Sequence, residues 1–283
     1  MNKNIKTVIT LSSLAILLCA CRGGRGGSTI SPSTSSSPSP TSTQSTTQID
    51  PGDYYASIDS SLTGEALLNA LNALNNSKRV RQVGYDEILD DPAHGVYITD
   101  PGPSGNKYTV TSFYSGTERK GTSGMNREHV WPKSHGGNLV ENDIHMIRPT
   151  ITTENGSRGN SFYVEGKCDD SKGWDPAMES FGDATFRGDS VRIIFYCCIA
   201  DLRLSLIDEE YHATSNANPD YLMGKLSDLL KWNLNYSVLE REQIRNDGAE
   251  SLKGNRNPFI DHPEYACKIW GSTNSTTRQI CGM

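Results

Sequence analysis

Between Arg127 and Asn160 the chain concentrates groups able to do acid–base and phosphate chemistry: Arg127, Glu128, His129, Glu141, Asp143, His145, Asn155, Arg158 and Asn160. Three of them stand side by side in "MNREHVWPKSHGG", residues 125–137. Neighbouring side chains of a regular strand face opposite ways, so Glu128 and His129 cannot both enter a core. If they share a task, a twist or bulge must aim both at one cleft. Hydrolysis of a phosphodiester needs a base for water, a hard cation on the phosphoryl oxygens and stabilisation of the leaving oxygen. A neutral imidazole suits the base. Carboxylate and amide oxygens suit magnesium, and the planar guanidinium fork suits phosphate. Two other readings compete. Taken singly, each residue is a satisfied surface or turn group. Alternatively, His129, His135 and His145 offer nitrogens to zinc, although their spacings fit no compact ligand pair on one helix or turn. Against the first stands the grouping itself, because a strand carrying Glu-His ahead of a polar helix is a poor way to build a core.

These residues need elements to hold them. Residues 126–131 and 143–148 read as two short strands joined through a Gly136-Gly137 turn region, and "TITTENGSRGNSF" reads as a short irregular helix after them. Upstream, "TGEALLNALNAL" sets Leu67, Leu71 and Leu74 on one stripe at helical spacing, predicting a helix over 63–75. "YTVTSFYSG" is β-branched and aromatic and reads as a strand. Downstream, helical patterns cover 189–206, 219–234 and 238–252, the first almost wholly apolar and therefore central. The fold class is α+β: one helix-rich domain around a small hairpin and its helix.

The chain has 283 residues, and its first fifty differ in kind from the rest. Lys3 and Lys6 precede an apolar run from Val8 to Leu18, the layout of a secretory signal and too short for a membrane span. Leu18-Cys19-Ala20-Cys21 resembles a bacterial lipoprotein cleavage box, predicting a signal over 1–20 and a lipid on Cys21. From Ser31 to Thr47 every residue except Gln44 is Ser, Thr or Pro, so 21–52 reads as a solvated tether. The globular part is expected over 53–283, held near the cell envelope, at the outer membrane or cell surface. The formal charge is −6, and losing Lys3 and Lys6 with the signal makes it −8. That excludes bulk attraction to a polyanion and requires local cations instead. Cys267 with Cys281 is the expected disulfide.

Three segments, "NREHVWPKS", "ENDIHMIRPT" and "ENGSRGNSF", resemble the ββα-metal finger of the bacterial endonuclease I family of sugar-nonspecific nucleases. The likeness extends to "RGDSVRIIFYCCIADLRLSL", "LLKWNLNYSVLEREQIRND" and "GNRNPFIDHPEYACKIW", in order, over about residues 64–271. It implies His129 as general base, Glu128 and Asn155 as metal ligands, and Glu141, or a backbone carbonyl, orienting the base. Arg158 would support the phosphate or the fold, and Asn160 would tie the helix end. Members with a long cysteine-rich insertion in the finger have no counterpart here, leaving Arg127, Lys133, Arg148 or Arg158 to meet phosphate. The resemblance implies a monomeric endonuclease using Mg2+, or Mn2+ or Ca2+, on DNA and also RNA, with 5′-phosphate ends. The rival class is a non-catalytic surface lipoprotein binding nucleic acid or glycan.

Overall fold

A computed structural model describes residues 52–169 and 173–283. The signal, Cys21 and nearly all of the tether lie outside the described residues. Helix α1 (Gly64–Lys78) buries Leu67, Leu71 and Leu74, the stripe expected of it. It packs against α5 (Phe186–Ala200), the central helix, where Val191, Ile193, Ile194, Phe195, Tyr196 and Ile199 are all buried. Each such side chain removed from water is worth about 1.5–3 kcal/mol, so this helix organises the core. Helices α6 (Leu226–Asn235) and α7 (Glu240–Lys253) complete the helical layer, and a Cys267–Cys281 disulfide joins the last two short helices, as expected.

Between α1 and α5 lie two short helices, α2 (Tyr85–Asp90) and α3 (Val96–Thr99), and the strands. Strand β1 (Thr109–Thr111) pairs with β2 (Glu118–Lys120), and β3 (Met125–His129) pairs antiparallel with β4 (Ile147–Ile151). Helix α4 (Thr152–Arg158) follows β4 without a gap. Thr152 N–H donates to the Gly124 carbonyl at 3.1 Å, closing the strand–strand–helix unit at its base. The α+β expectation holds.

Element boundaries moved where local hydrogen bonds overrode pattern. The second finger strand begins at Ile147 rather than 143, because Asp143 makes a turn: its carboxylate accepts His145 N–H and its carbonyl accepts the N–H of Met146 and Ile147. The central helix stops at Ala200 instead of 206, since Ser205-Leu206 pairs in parallel with Leu222-Met223. For the same reason α6 starts at Leu226 and not near 219.

Candidate active site

Strand β3 carries the Glu-His pair in a one-to-one register with β4, from Met125↔Ile151 to His129↔Ile147. The bulge allowed for in the sequence does not occur. His129 is instead the last residue of the strand, where alternation ends, and it lines one cleft of about 250 Å3 together with Glu128. Asn155, Arg158, Gly159 and Asn160 form a second wall, from α4 and its end. Arg127, Pro132, Lys133 and Asn216 complete the lining.

His129 is oriented by its own strand. Its Nδ1 lies 3.2 Å from the Arg127 carbonyl, which assigns the ring proton to Nδ1, since a carbonyl can only accept. Nε2 is buried and has no hydrogen-bond partner among the described residues. Burial, with the nearby Lys133 ammonium, pulls the ring down to about 4, against the Arg127 carbonyl and the Glu141 charge. The ring is therefore neutral at physiological pH, with its lone pair on Nε2. Glu141 does not touch it: its carboxylate pairs with Lys133 Nζ at 2.7 Å, so the carbonyl supplies the orientation that was open to either group.

Glu128 is fully buried, and burial raises its pKa while Arg158 and Tyr114 oppose the rise. Tyr114 donates to Oε1 at 2.9 Å, and Arg158 Nε is 3.6 Å from the same oxygen. Tyr114 hydroxyl also lies 2.6 Å from that of Tyr163. Tyr114 sits at φ +75°, a strained conformation for a residue with a Cβ, directly behind the carboxylate. Nothing in "YTVTSFYSG" beyond its aromatic content signals this role, and the sequence reading missed it. Buried tyrosines do, however, require a partner for their hydroxyl.

Asn155 donates through Nδ2 to Asn126 Oδ1 at 2.7 Å, bolting α4 to β3 and leaving its own amide oxygen for another partner. Arg158, one helical turn on, is buried and donates to the carbonyls of Val130 at 2.8 Å and Gly159 at 3.1 Å. Its contacts belong to the fold and to Glu128. Asn160 is exposed with no hydrogen bond among the described residues, so it does not tie the helix end. The end is closed by Gly159, in a positive-φ conformation, whose N–H donates to the Asn155 carbonyl at 3.0 Å.

The expected phosphate cations divide. Lys133 reaches the cleft with Glu141 as its partner. Arg127 lines the cleft too, but its guanidinium is held by the Tyr85 carbonyl at 2.7 Å and Asp90 at 2.9 Å, over the Tyr85 ring. Arg148 is not part of it. It is buried against Asp100 at 2.8 Å and Asp189 at 3.6 Å, a structural pair that its place in the strand register could not reveal. The three histidines do not converge: His135 pairs with Asp220 at 2.9 Å, and His145 with the Asn255 carbonyl at 3.0 Å.

Among the described residues both side-chain contacts of Glu128 fall on Oε1, the Asn155 amide oxygen accepts no hydrogen bond, and both residues line the cleft. One carboxylate and one amide oxygen, next to an unpartnered imidazole nitrogen, suit a hard divalent cation that retains most of its waters. A larger cavity of about 410 Å3 lies at the junction of α6 and α7, but Arg192 there is committed to Glu242 and no histidine lines it.

The whole sequence also resembles known proteins. The Endonuclease I family model matches residues 86–264, more than half of the chain and all of the finger. The chain is 32% identical to an extracellular ribonuclease of Bacillus amyloliquefaciens over 272 residues, covering 87% of this chain and 85% of that protein. It is 30% identical to an extracellular ribonuclease of Bacillus subtilis (strain 168) over 248 residues, covering 78% and 79%.

Proposed function

The chain belongs to the endonuclease I family, and we propose that it is an exported, divalent-metal-dependent endonuclease hydrolysing the backbone of RNA and DNA with little sequence preference. The observation carrying the reading is the buried, unpartnered Nε2 of His129 in a cleft that also presents Glu128 and Asn155. A buried nitrogen without a hydrogen-bond partner is costly in a folded protein unless a ligand completes it.

His129 Nε2 takes the proton of the attacking water while Nδ1–H stays on the Arg127 carbonyl, which holds the ring in place through the transfer. The low ring pKa keeps the lone pair unprotonated, and an incoming phosphodiester anion raises its basicity towards the working pH. Glu128 and Asn155 would hold the cation, which when bound supplies Lewis-acid stabilisation of the phosphoryl and leaving oxygens. Tyr114 and Arg158 fix the Glu128 carboxylate from behind. Lys133 supplies positive charge at the cleft mouth. Contacts to backbone rather than bases give little sequence preference.

Export is supported by the amino-terminal pattern and by the extracellular relatives. Lipid anchoring through Cys21 remains part of the proposal, and Cys21→Ser would release the protein from membranes if it is right. Incubation of supercoiled plasmid and of single-stranded RNA with the protein, with and without EDTA, tests the activity. Magnesium-restored cleavage of both, leaving 5′-phosphate ends, is expected. EDTA-insensitive cleavage, or none, overturns the reading.

A further inference from the structure

Residues 207–210 stay bonded to the segment around Lys225, and the chain from Tyr211 to Tyr221 then passes beside the segment that follows His129 before pairing again at Leu222. Its tip enters the catalytic cleft. Asn216 lines that cleft with Glu128, His129 and Asn155, although it lies far from them in sequence and in none of the motifs. The tip is a tight turn, with Asn218 N–H donating to the Ser215 carbonyl at 3.1 Å. Two anchors hold it to the segment that follows His129. Thr214 Oγ1 lies 2.8 Å from the Ser134 carbonyl and 3.0 Å from that of Asn218. Asp220 accepts from His135 Nδ1 at 2.9 Å and from Leu222 N–H at 3.1 Å. The turn is thus fixed relative to the catalytic strand by polar contacts on both sides of Asn216. Asn216 itself is exposed and makes no hydrogen bond among the described residues.

We infer that Asn216 is a substrate-contact residue, its amide N–H donating to a backbone phosphate oxygen next to the scissile phosphate. The inference rests on the nuclease reading and adds a residue to it. Three of the cleft's positive groups are already engaged: Arg127 with α2, Lys133 with Glu141, and Arg158 with backbone carbonyls. A neutral donor at the open wall meets a phosphate without displacing an internal partner, and Asn side chains commonly make such backbone contacts. From Tyr211 to Pro219 the segment carries no carboxylate, in a chain of net charge −6, so the turn that bears Asn216 brings no negative charge of its own to the cleft.

Steady-state cleavage of an RNA and a DNA oligonucleotide of one sequence, at saturating magnesium, tests this with Asn216→Ala, Asn216→Asp and Thr214→Val. Losing a hydrogen bond to a charged group should raise KM about tenfold on both substrates with kcat within about twofold. Asn216→Asp should raise it further, because its carboxylate repels the phosphate. Thr214→Val, which only frees the turn, should give a smaller rise and add little on top of Asn216→Ala, as expected for two residues acting through one contact. Wild-type cleavage with unchanged KM in Asn216→Ala overturns the inference and leaves the nuclease reading standing. A rise confined to RNA overturns the phosphate contact in favour of a sugar contact. Full additivity of the two substitutions overturns the positioning by Thr214. A wild-type protein that cuts neither substrate removes the nuclease reading, and this inference falls with it.

Discussion

Two acid–histidine pairs flank the finger connection, Glu128 with His129 and Asp143 with His145, and the fold treats them in opposite ways. His145 is sealed: Nε2 meets the Asn255 carbonyl at 3.0 Å, the ring packs 4.5 Å from Tyr196, and Asp143 accepts its backbone N–H. Asp143 is also paired with Lys253 at 2.5 Å and accepts from Tyr196 at 2.9 Å. His129 shares one nitrogen with a carbonyl, and the other, in a residue that lines the cleft, has no partner among the described residues. Burial depresses both rings, to about 3 and about 4. A depressed pKa therefore does not tell the two rings apart. The unfilled partner does.

The comparison breaks first at Lys253. Lys253→Met removes the cation facing Asp143 and leaves a buried carboxylate without its charge partner, which costs about 3–5 kcal/mol. Chemical denaturation measures it, and a loss below about 1 kcal/mol would mean the network is wet rather than sealed. On the cleft side, Asn155→Ala should shift the magnesium midpoint of cleavage upward by about tenfold or more, since even outer partners of metal ligands are worth that much. Glu128→Gln keeps the shape, loses the charge, and should be rescued less well by added magnesium. Equal midpoints for wild type and Asn155→Ala would remove Asn155 from the metal.

Acid sharpens the comparison next. Folded His145 resists protonation down to about 3 while the unfolded ring accepts a proton near 6.5. The unfolded state thus binds more protons between these values, and this group's stabilisation is complete above 6.5 and lost as pH falls. His145→Asn lacks that linkage. Its stability deficit relative to wild type should narrow between pH 6 and pH 4, by up to about 1.4 kcal/mol per pH unit. A constant deficit in urea melts would contradict a neutral buried ring. Smallest of all, Asn160→Ala should change stability by less than about 0.5 kcal/mol, because the exposed side chain closes nothing. A clear fall in Tm would restore it as the tie of the helix end.

The sequence revealed the parts whose chemistry is local. The leucine stripe of α1, the apolar run of α5 and the finger's order of strand, strand and helix are periodicity and propensity, and the structure keeps them. Glu128, His129 and Asn155 meet in one cleft because strand and helix adjoin. What stayed hidden depends on distant chain. Arg148 looked like a phosphate cation until Asp100 and Asp189 claimed it. Tyr114, Tyr163 and Asn216 come to the site from other segments, and no spacing within the finger points to them. The second strand was displaced by a turn that Asp143 builds with its own side chain.

The central claim is that His129, and not its sealed counterpart, is the base. Single-turnover cleavage of plasmid DNA by His129→Ala and His145→Ala, each normalised to its folded fraction from a thermal melt, tests it directly. The account predicts a rate loss of about 10² or more for His129→Ala with Tm close to wild type. His145→Ala should instead lose stability and keep the rate of its folded molecules. A His129→Ala enzyme that cuts near the wild-type rate, or a folded His145→Ala that has lost it, would contradict the account.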